Sequence, residues 1–143
     1  MPLWERYLGI PLLRVHDAIY RKTDGRIGHR IPGAPPSLLL HTVGAKTGIA
    51  RTNTLSYARD GDAYLVVASN GGAQSHPLWY LNLAANPDVT VQVGSEVFTA
   101  VASTAEHAEK PRLWQIMTGL YPTYDDYQRK AHREIPLVIL TPA

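Results

Sequence analysis

Cysteine is absent from the 143 residues, which excludes a disulfide framework, a thiolate nucleophile and cysteine-ligated zinc or iron–sulfur centres. An intracellular, cytoplasmic location is the simplest expectation. Long apolar runs are missing too. The stretches 37-SLLL-40, 63-AYLVVA-68 and 135-IPLVIL-140 fall far short of the roughly 20 residues that cross a bilayer, so no transmembrane helix is expected. Glu5, Arg6, Arg14 and Asp17 interrupt the N-terminus, where a signal peptide needs a continuous apolar core. The six histidines have no metal-ligand spacing, so no metal site is expected. A Gly-x-Ser-x-Gly elbow is lacking, as is a carboxylate pair placed for acid–base work. The adjacent Asp125-Asp126 suit a helix N-terminus better. Basic residues do not interleave with aromatics beyond the N-terminus, so nucleic acid is not an expected partner, and no repeat of solenoid period is present.

What is there reads as one globular domain. Apolar residues make up 45% and charged residues 18%, within the range of ordinary folded chains. Charge is uneven. Residues 1–30 carry six basic against three acidic side chains, and Trp4, Leu8, Leu12, Val15 and Ile19 fall at helical spacing with a break at Pro11. Two readings of this segment stay open: a helix packed on its own domain, and a peripheral membrane or anionic-ligand contact. The Gly- and Pro-rich 23-TDGRIGHRIPGAPPS-37 follows as a connector in which Arg26, His29 and Arg30 could face a ligand.

Beyond it, strands are expected over 37–43, 50–59 and 62–69, the last two joined by a hairpin at Asp60-Gly61. A helix over 75–87 has Ser75 as its N-cap and Pro77 in its first turn. A second hairpin turns at Gly94-Ser95, with alternation that buries one face. Helices over 104–120 and 123–132 come next, the latter opened by a Thr123-x-x-Asp126 cap, and 134–142 closes as a strand that Pro136 assigns to an edge. Hairpins dominate and βαβ alternation is absent, which predicts an α+β domain built around an antiparallel barrel.

Three stretches carry chemistry. In 44-GAKTGIAR-51, two glycines, a lysine, a threonine and an arginine crowd one turn. A P-loop is excluded, because neither the G-x-x-x-x-G-K-[ST] spacing nor a following helix is present. A plain hairpin turn and an anion-binding nest both remain. In 69-SNGGAQSHPLWYLNL-83, a strand gives way to glycines and then to a helix start, where a flat ligand can approach the backbone and free N–H groups can meet carbonyl or phosphate oxygens. The bland alternative is a capped loop with Trp79 and Leu83 in the core. In 121-YPTYDDYQ-128, Tyr121, Tyr124 and Tyr127 are spaced by three, so the last two share nearly one helix face. Tyrosine offers a flat apolar ring and a hydroxyl that can orient or protonate a substrate. Ordinary aromatic packing is the rival reading, though the chain has eight tyrosines and a single phenylalanine.

Together, GAKTG-x-x-R, the run from Asp60 to Val89 and the closing segment from Tyr121 to Pro142 resemble the deazaflavin-dependent nitroreductase family, split β-barrel enzymes that use coenzyme F420. The resemblance implies a split-barrel F420-binding domain over 37–143, with 1–36 as its N-terminal helix and connector. It implies that Lys46, Thr47, Arg51 and Asn53 cradle the coenzyme's phosphodiester tail, and that Ser69, Asn70, Gly71 and the backbone near Pro77, Leu78 and Trp79 hold the deazaflavin ring. Tyr121, Tyr124 and Tyr127 would face the acceptor, with Ser69 and Tyr57 as further proton-donor candidates. The acidic oligoglutamate tail expected on that coenzyme would suit Arg26 and Arg30. The implied activity is hydride transfer from reduced F420 to a quinone or nitroaromatic compound. At Ser56-Tyr57 the chain departs from the family's nitroreductases, which carry a Tyr-Tyr pair beside the substrate, and this favours quinones over nitroimidazoles. An FMN-binding split-barrel oxidoreductase and a non-catalytic deazaflavin carrier are the alternatives, and the chain is expected to be a monomer or homodimer.

Overall fold

The computed structural model describes residues 36–143. The expected N-terminal helix, the connector and the ligand roles of Arg26, His29 and Arg30 lie outside the described residues. Seven strands follow: β1 (Ser37–Val43), β2 (Ala50–Ser56), β3 (Ala58–Asp60), β4 (Ala63–Val67), β5 (Asp88–Val93), β6 (Glu96–Thr104) and β7 (Leu137–Pro142). Three helices accompany them: α1 (Leu78–Ala85), α2 (Lys110–Leu120) and α3 (Thr123–Lys130).

All strands join one antiparallel sheet in the order β2-β1-β5-β6-β7-β4-β3. Its two edges, β2 and β3, are separated in the chain by Tyr57 alone. A linker of one residue spans only about 3.5 Å per residue, so the sheet must curl until its edges meet. The result is the predicted half-closed barrel.

Curling gives the sheet two buried faces. Leu38, Leu40, Tyr64, Val66, Val91 and Leu140 form the barrel interior with Trp79 and Leu83 of α1. On the outer face Leu65, Val67, Ile135 and Leu137 pack under Leu113 and Met117 of α2 and Tyr124 of α3. β4 therefore buries both of its sides, which is why 64-YLVV-67 is an unbroken apolar run and not an alternating one. Leu65, Leu113 and Met117 are at most 1% exposed, each contributing about 1.5–3 kcal/mol by burial.

Several expected boundaries move. The strand over 50–59 breaks at Tyr57, where the chain passes from one sheet edge to the other. Helix α1 begins at Leu78, not near Ser75: Pro77 is its N-cap with extended backbone at ψ 151°, and a residue before proline is itself steered away from helical torsions. Ser75 instead offers its carbonyl to Asn70 Nδ2 at 3.1 Å. Helix α2 starts at Lys110 because β6 runs on to Thr104. Thr123 is the first helical residue of α3 and makes no capping bond, the cap position being Pro122. Asp125 and Asp126 do occupy the first turn, where carboxylates favour the helix dipole. Strand β7 is interior, paired with β6 and β4. Pro136 precedes it, and the proline carbonyl still accepts from Ala68 N–H at 2.9 Å.

Candidate active site

A cleft of about 660 Å³ opens between β2, the loop after β4, the start of α1 and the tyrosines around α3. The structure brings most of the expected residues to it. Arg51 and Asn53 border it from β2, Ser69, Asn70 and Gly71 from the loop, Pro77, Leu78 and Trp79 from the helix start, and Tyr121, Tyr124 and Tyr127 from the segment around α3.

The turn at 44–49 is the β1–β2 hairpin connection, closed by Gly44 N–H on the Ile49 carbonyl at 2.8 Å. Gly48 supplies a positive φ of 69°. At Gly44 space is tight instead: a Cβ would displace Thr47 Oγ1, 2.6 Å away, and press on the Ile49 carbonyl oxygen at 3.3 Å. Asn82, buried in α1, fixes the turn by accepting from Ala45 N–H at 3.0 Å. Thr47 Oγ1 accepts from Ile49 N–H at 3.3 Å. Lys46 and Thr47 are exposed and do not border the cleft, whereas Arg51, only 8% exposed, does. A guanidinium is rarely buried unless charge or hydrogen-bond acceptors meet it.

Tyr57 is a correction. It packs in the barrel interior, edge-on to Tyr64 with ring centroids 5.4 Å apart, and does not border the cleft. It is the single residue between β2 and β3, where the chain crosses between the sheet edges, whereas Ser56 at the end of β2 borders the cleft.

The tyrosine wall is a run of edge-to-face rings. Tyr121 and Tyr124 lie 5.0 Å apart, and Tyr124 and Tyr127 6.2 Å. Tyr124 is buried and hydrogen bonded to Ser56. Burial, with Tyr121 beside it, pushes its phenol up to about 12. Tyr127, hydrogen bonded to Tyr121, is also raised, mainly by desolvation. Both phenols therefore stay protonated at neutral pH and can act as donors.

Thr54, Leu55, Ser56, Val67 and His76 also border the cleft and were not singled out from the sequence as site residues. Ser56 carried a signal, as half of the pair that departs from the nitroreductases. His76 carried another: it immediately precedes Pro77, at the point where the loop must stay extended to enter α1.

The comparisons decide the family. The model for F420H(2)-dependent quinone reductases matches residues 12–142. The chain belongs to the F420H(2)-dependent quinone reductase family. It is 57% identical over 140 residues to the F420H(2)-dependent quinone reductase Rv1261c of Mycobacterium tuberculosis, covering 96% of this chain and 94% of the relative. Among solved structures it is similar to an F420-H2 dependent reductase, FDR-A, with 40% identity and a TM-score of 0.68 over 73% of this chain and 93% of the other. A second, described as a domain-swapped dimer, is 35% identical with a TM-score of 0.70 over 92% and 99%. The split-barrel expectation is thereby borne out, as are an F420-dependent oxidoreductase and F420 as the family's cofactor; quinones are the acceptor that the family's description names. The donor set fits such a cofactor. A buried cation bordering the cleft suits a phosphodiester, and glycine-containing backbone beside a helix start suits a flat ring bearing carbonyls.

Proposed function

We propose that this chain uses reduced F420 to reduce quinones, with the coenzyme's phosphodiester on Arg51 and Asn53 and its ring against Ser69–Gly71 and the Pro77–Trp79 backbone. The carrying observation is a single cleft bordered by a buried arginine, a glycine-containing loop, a helix start and three tyrosines. Reduced F420 supplies the hydride when bound. Lys46, exposed at the β1–β2 turn outside the cleft lining, would meet the coenzyme's acidic tail as a point charge, while Thr47 supports that turn. Tyr124 and Tyr127 face the acceptor, and as neutral phenols they donate hydrogen bonds to its oxygen as negative charge develops there. Ser56 orients the Tyr124 hydroxyl. A nitroaromatic compound presents similar oxygens and is a second acceptor to assay.

The basic balance of residues 1–30 suits either the coenzyme's acidic tail or an anionic membrane surface at which lipid-soluble quinones are met. A cytoplasmic enzyme with peripheral membrane contact fits that reading. A homodimer is the assembly to look for by light scattering, since one similar chain forms a domain-swapped dimer.

Titrating purified protein with F420 and with FMN, then following oxidation of reduced F420 by menadione, tests the whole reading. Retention of FMN but not F420, or F420 binding without turnover, would refute it.

A further inference from the structure

Arg133 lies between α3 and β7, and its guanidinium is spent on the loop that borders the cleft. Nε donates to the Ala73 carbonyl at 3.0 Å. Nη2 donates to the Ser69 carbonyl at 3.0 Å and the Ala68 carbonyl at 3.3 Å. Nη1 lies 2.8 Å from His76 Nδ1. Arginine has donors only and keeps its charge at any working pH, so His76 Nδ1 must accept and the ring proton belongs on Nε2. Gln74 adds a second tie, accepting from His132 N–H at 2.6 Å and donating to the Lys130 carbonyl at 3.3 Å. At Gly72 the loop backbone comes so near α3 that a Cβ would sit 3.1 Å from the Tyr127 carbonyl oxygen.

We propose that Arg133 is a positioning residue of the cleft: it latches the Ala68–His76 loop to the helix that carries Tyr124 and Tyr127, and it holds His76 as a neutral imidazole with Nδ1 as acceptor. The two walls of the cleft then move as one body. A neutral ring there adds no charge to the wall, which leaves Arg51 as the dominant charge bordering the cleft.

The surroundings of His76 agree. Its ring sits 4.9 Å from that of Tyr80, and it borders both the main cleft and a second cavity of about 320 Å³ lined also by His107, Lys110 and Glu134. The one carboxylate lining that cavity, Glu134, is engaged by Lys110 Nζ at 3.1 Å. Desolvation, then the Arg133 charge, lowers the His76 pKa.

The proposal builds on the cofactor reading above, but its first test needs no cofactor. Long-range nitrogen–proton NMR on the apo protein between pH 5 and 8 reports the His76 tautomer and titration. The expected result is a single Nε2–H tautomer titrating below the ordinary value of about 6.5. A proton on Nδ1, or titration at or above that value, would overturn the His76 half. Arg133→Lys keeps the charge and loses the fork. It should leave His76 low yet speed amide hydrogen exchange over residues 69–76 and weaken F420 binding at least fivefold. Arg133→Gln should also raise the His76 pKa and add an acid limb to the pH profile of kcat/KM. Parental exchange and parental F420 affinity in Arg133→Lys would overturn the latch whether or not Arg133→Gln folds. If the parent itself binds no F420, the cofactor reading fails, while the tautomer and exchange results still decide the role of Arg133.

Discussion

Removing one hydroxyl from the tyrosine wall should change stability and catalysis in separable ways. In Tyr124→Phe the ring keeps its packing under α2 and against Tyr121, and only the phenol is lost. At pH 8 the lost bond to Ser56 costs about 0.5–1.5 kcal/mol, a modest figure because Ser56 borders the open cleft and can bond to water. Alkaline pH should reverse the balance. The Tyr124 pKa is raised from 10.0 to about 12 in the folded protein, so the native state holds this proton more tightly than the unfolded chain. The corresponding stabilisation, about 2.7 kcal/mol in all, is fully present below pH 10 and is lost as pH rises from 10 to about 12. At pH 11 about half has gone, roughly 1.4 kcal/mol. Urea unfolding of parent and variant at pH 8 and pH 11 measures the difference directly: the parent's advantage at pH 8 should shrink to near zero or change sign. An identical alkaline slope in both proteins would refute the burial argument. Catalysis is read at pH 7, where the phenol is neutral. F420 affinity should stay within about twofold while kcat/KM for menadione falls at least tenfold, or about 1.4 kcal/mol of transition-state stabilisation. Parental turnover would reduce Tyr124 to a packing element, and loss of F420 binding would assign the wall to the coenzyme.

Arg51→Ala removes a charge-assisted contact worth about 1.5–3 kcal/mol, so the F420 dissociation constant should rise roughly tenfold to a hundredfold with an unchanged circular dichroism spectrum. Gly72→Ala forces a side chain into φ +81° against the α3 backbone and should cost about 1–3 kcal/mol, seen as a lower thermal midpoint. Ser56→Tyr fills the cleft beside Tyr124 and removes its hydroxyl partner; the ratio of quinone to nitroaromatic kcat/KM should fall, and an unchanged ratio would detach residue 56 from acceptor choice. Deleting Met1–Tyr20 should weaken binding to anionic liposomes and leave menadione reduction nearly intact, whereas loss of a cooperative melt would assign that segment to the core.

Legibility from sequence followed the range of the physics involved. Hairpins were readable because Asp60-Gly61 and Gly94-Ser95 are local devices with their own torsional demands, and positive φ at Gly61 and Gly94 meets them. The residues that border the cleft were readable where the sequence crowds unusual types together, as with Arg51 in a turn rich in Gly, Lys and Thr, and three tyrosines spaced by three. Errors arose where one proline outweighed a plausible pattern. Ser75 and Thr123 had the chemistry of N-caps, yet Pro77 and Pro122 hold the cap positions. Pro136 suggested an edge but only marks the residue before an interior strand. Arg133 was invisible because its contacts reach back to residues 68–76, and no local pattern encodes a partner some sixty positions away.

The placement of Ser56 and Tyr57 shows how a single strand end divides labour between core and cleft. The curl of the sheet requires the chain to cross from β2 to β3 in one residue, and Tyr57 is that residue, closing the barrel interior against Tyr64. Its neighbour Ser56 borders the cleft together with Tyr124. A serine there adds a hydroxyl and little bulk, so the cleft stays open to a broad planar acceptor and the phenol gains a partner. A second tyrosine at 56 would supply another donor and remove that room. If position 56 bears on acceptor choice as proposed, a substitution at Tyr57 that loosened the crossing should disturb acceptor binding without touching the acceptor, and quinone KM in a Tyr57→Ala variant measures it.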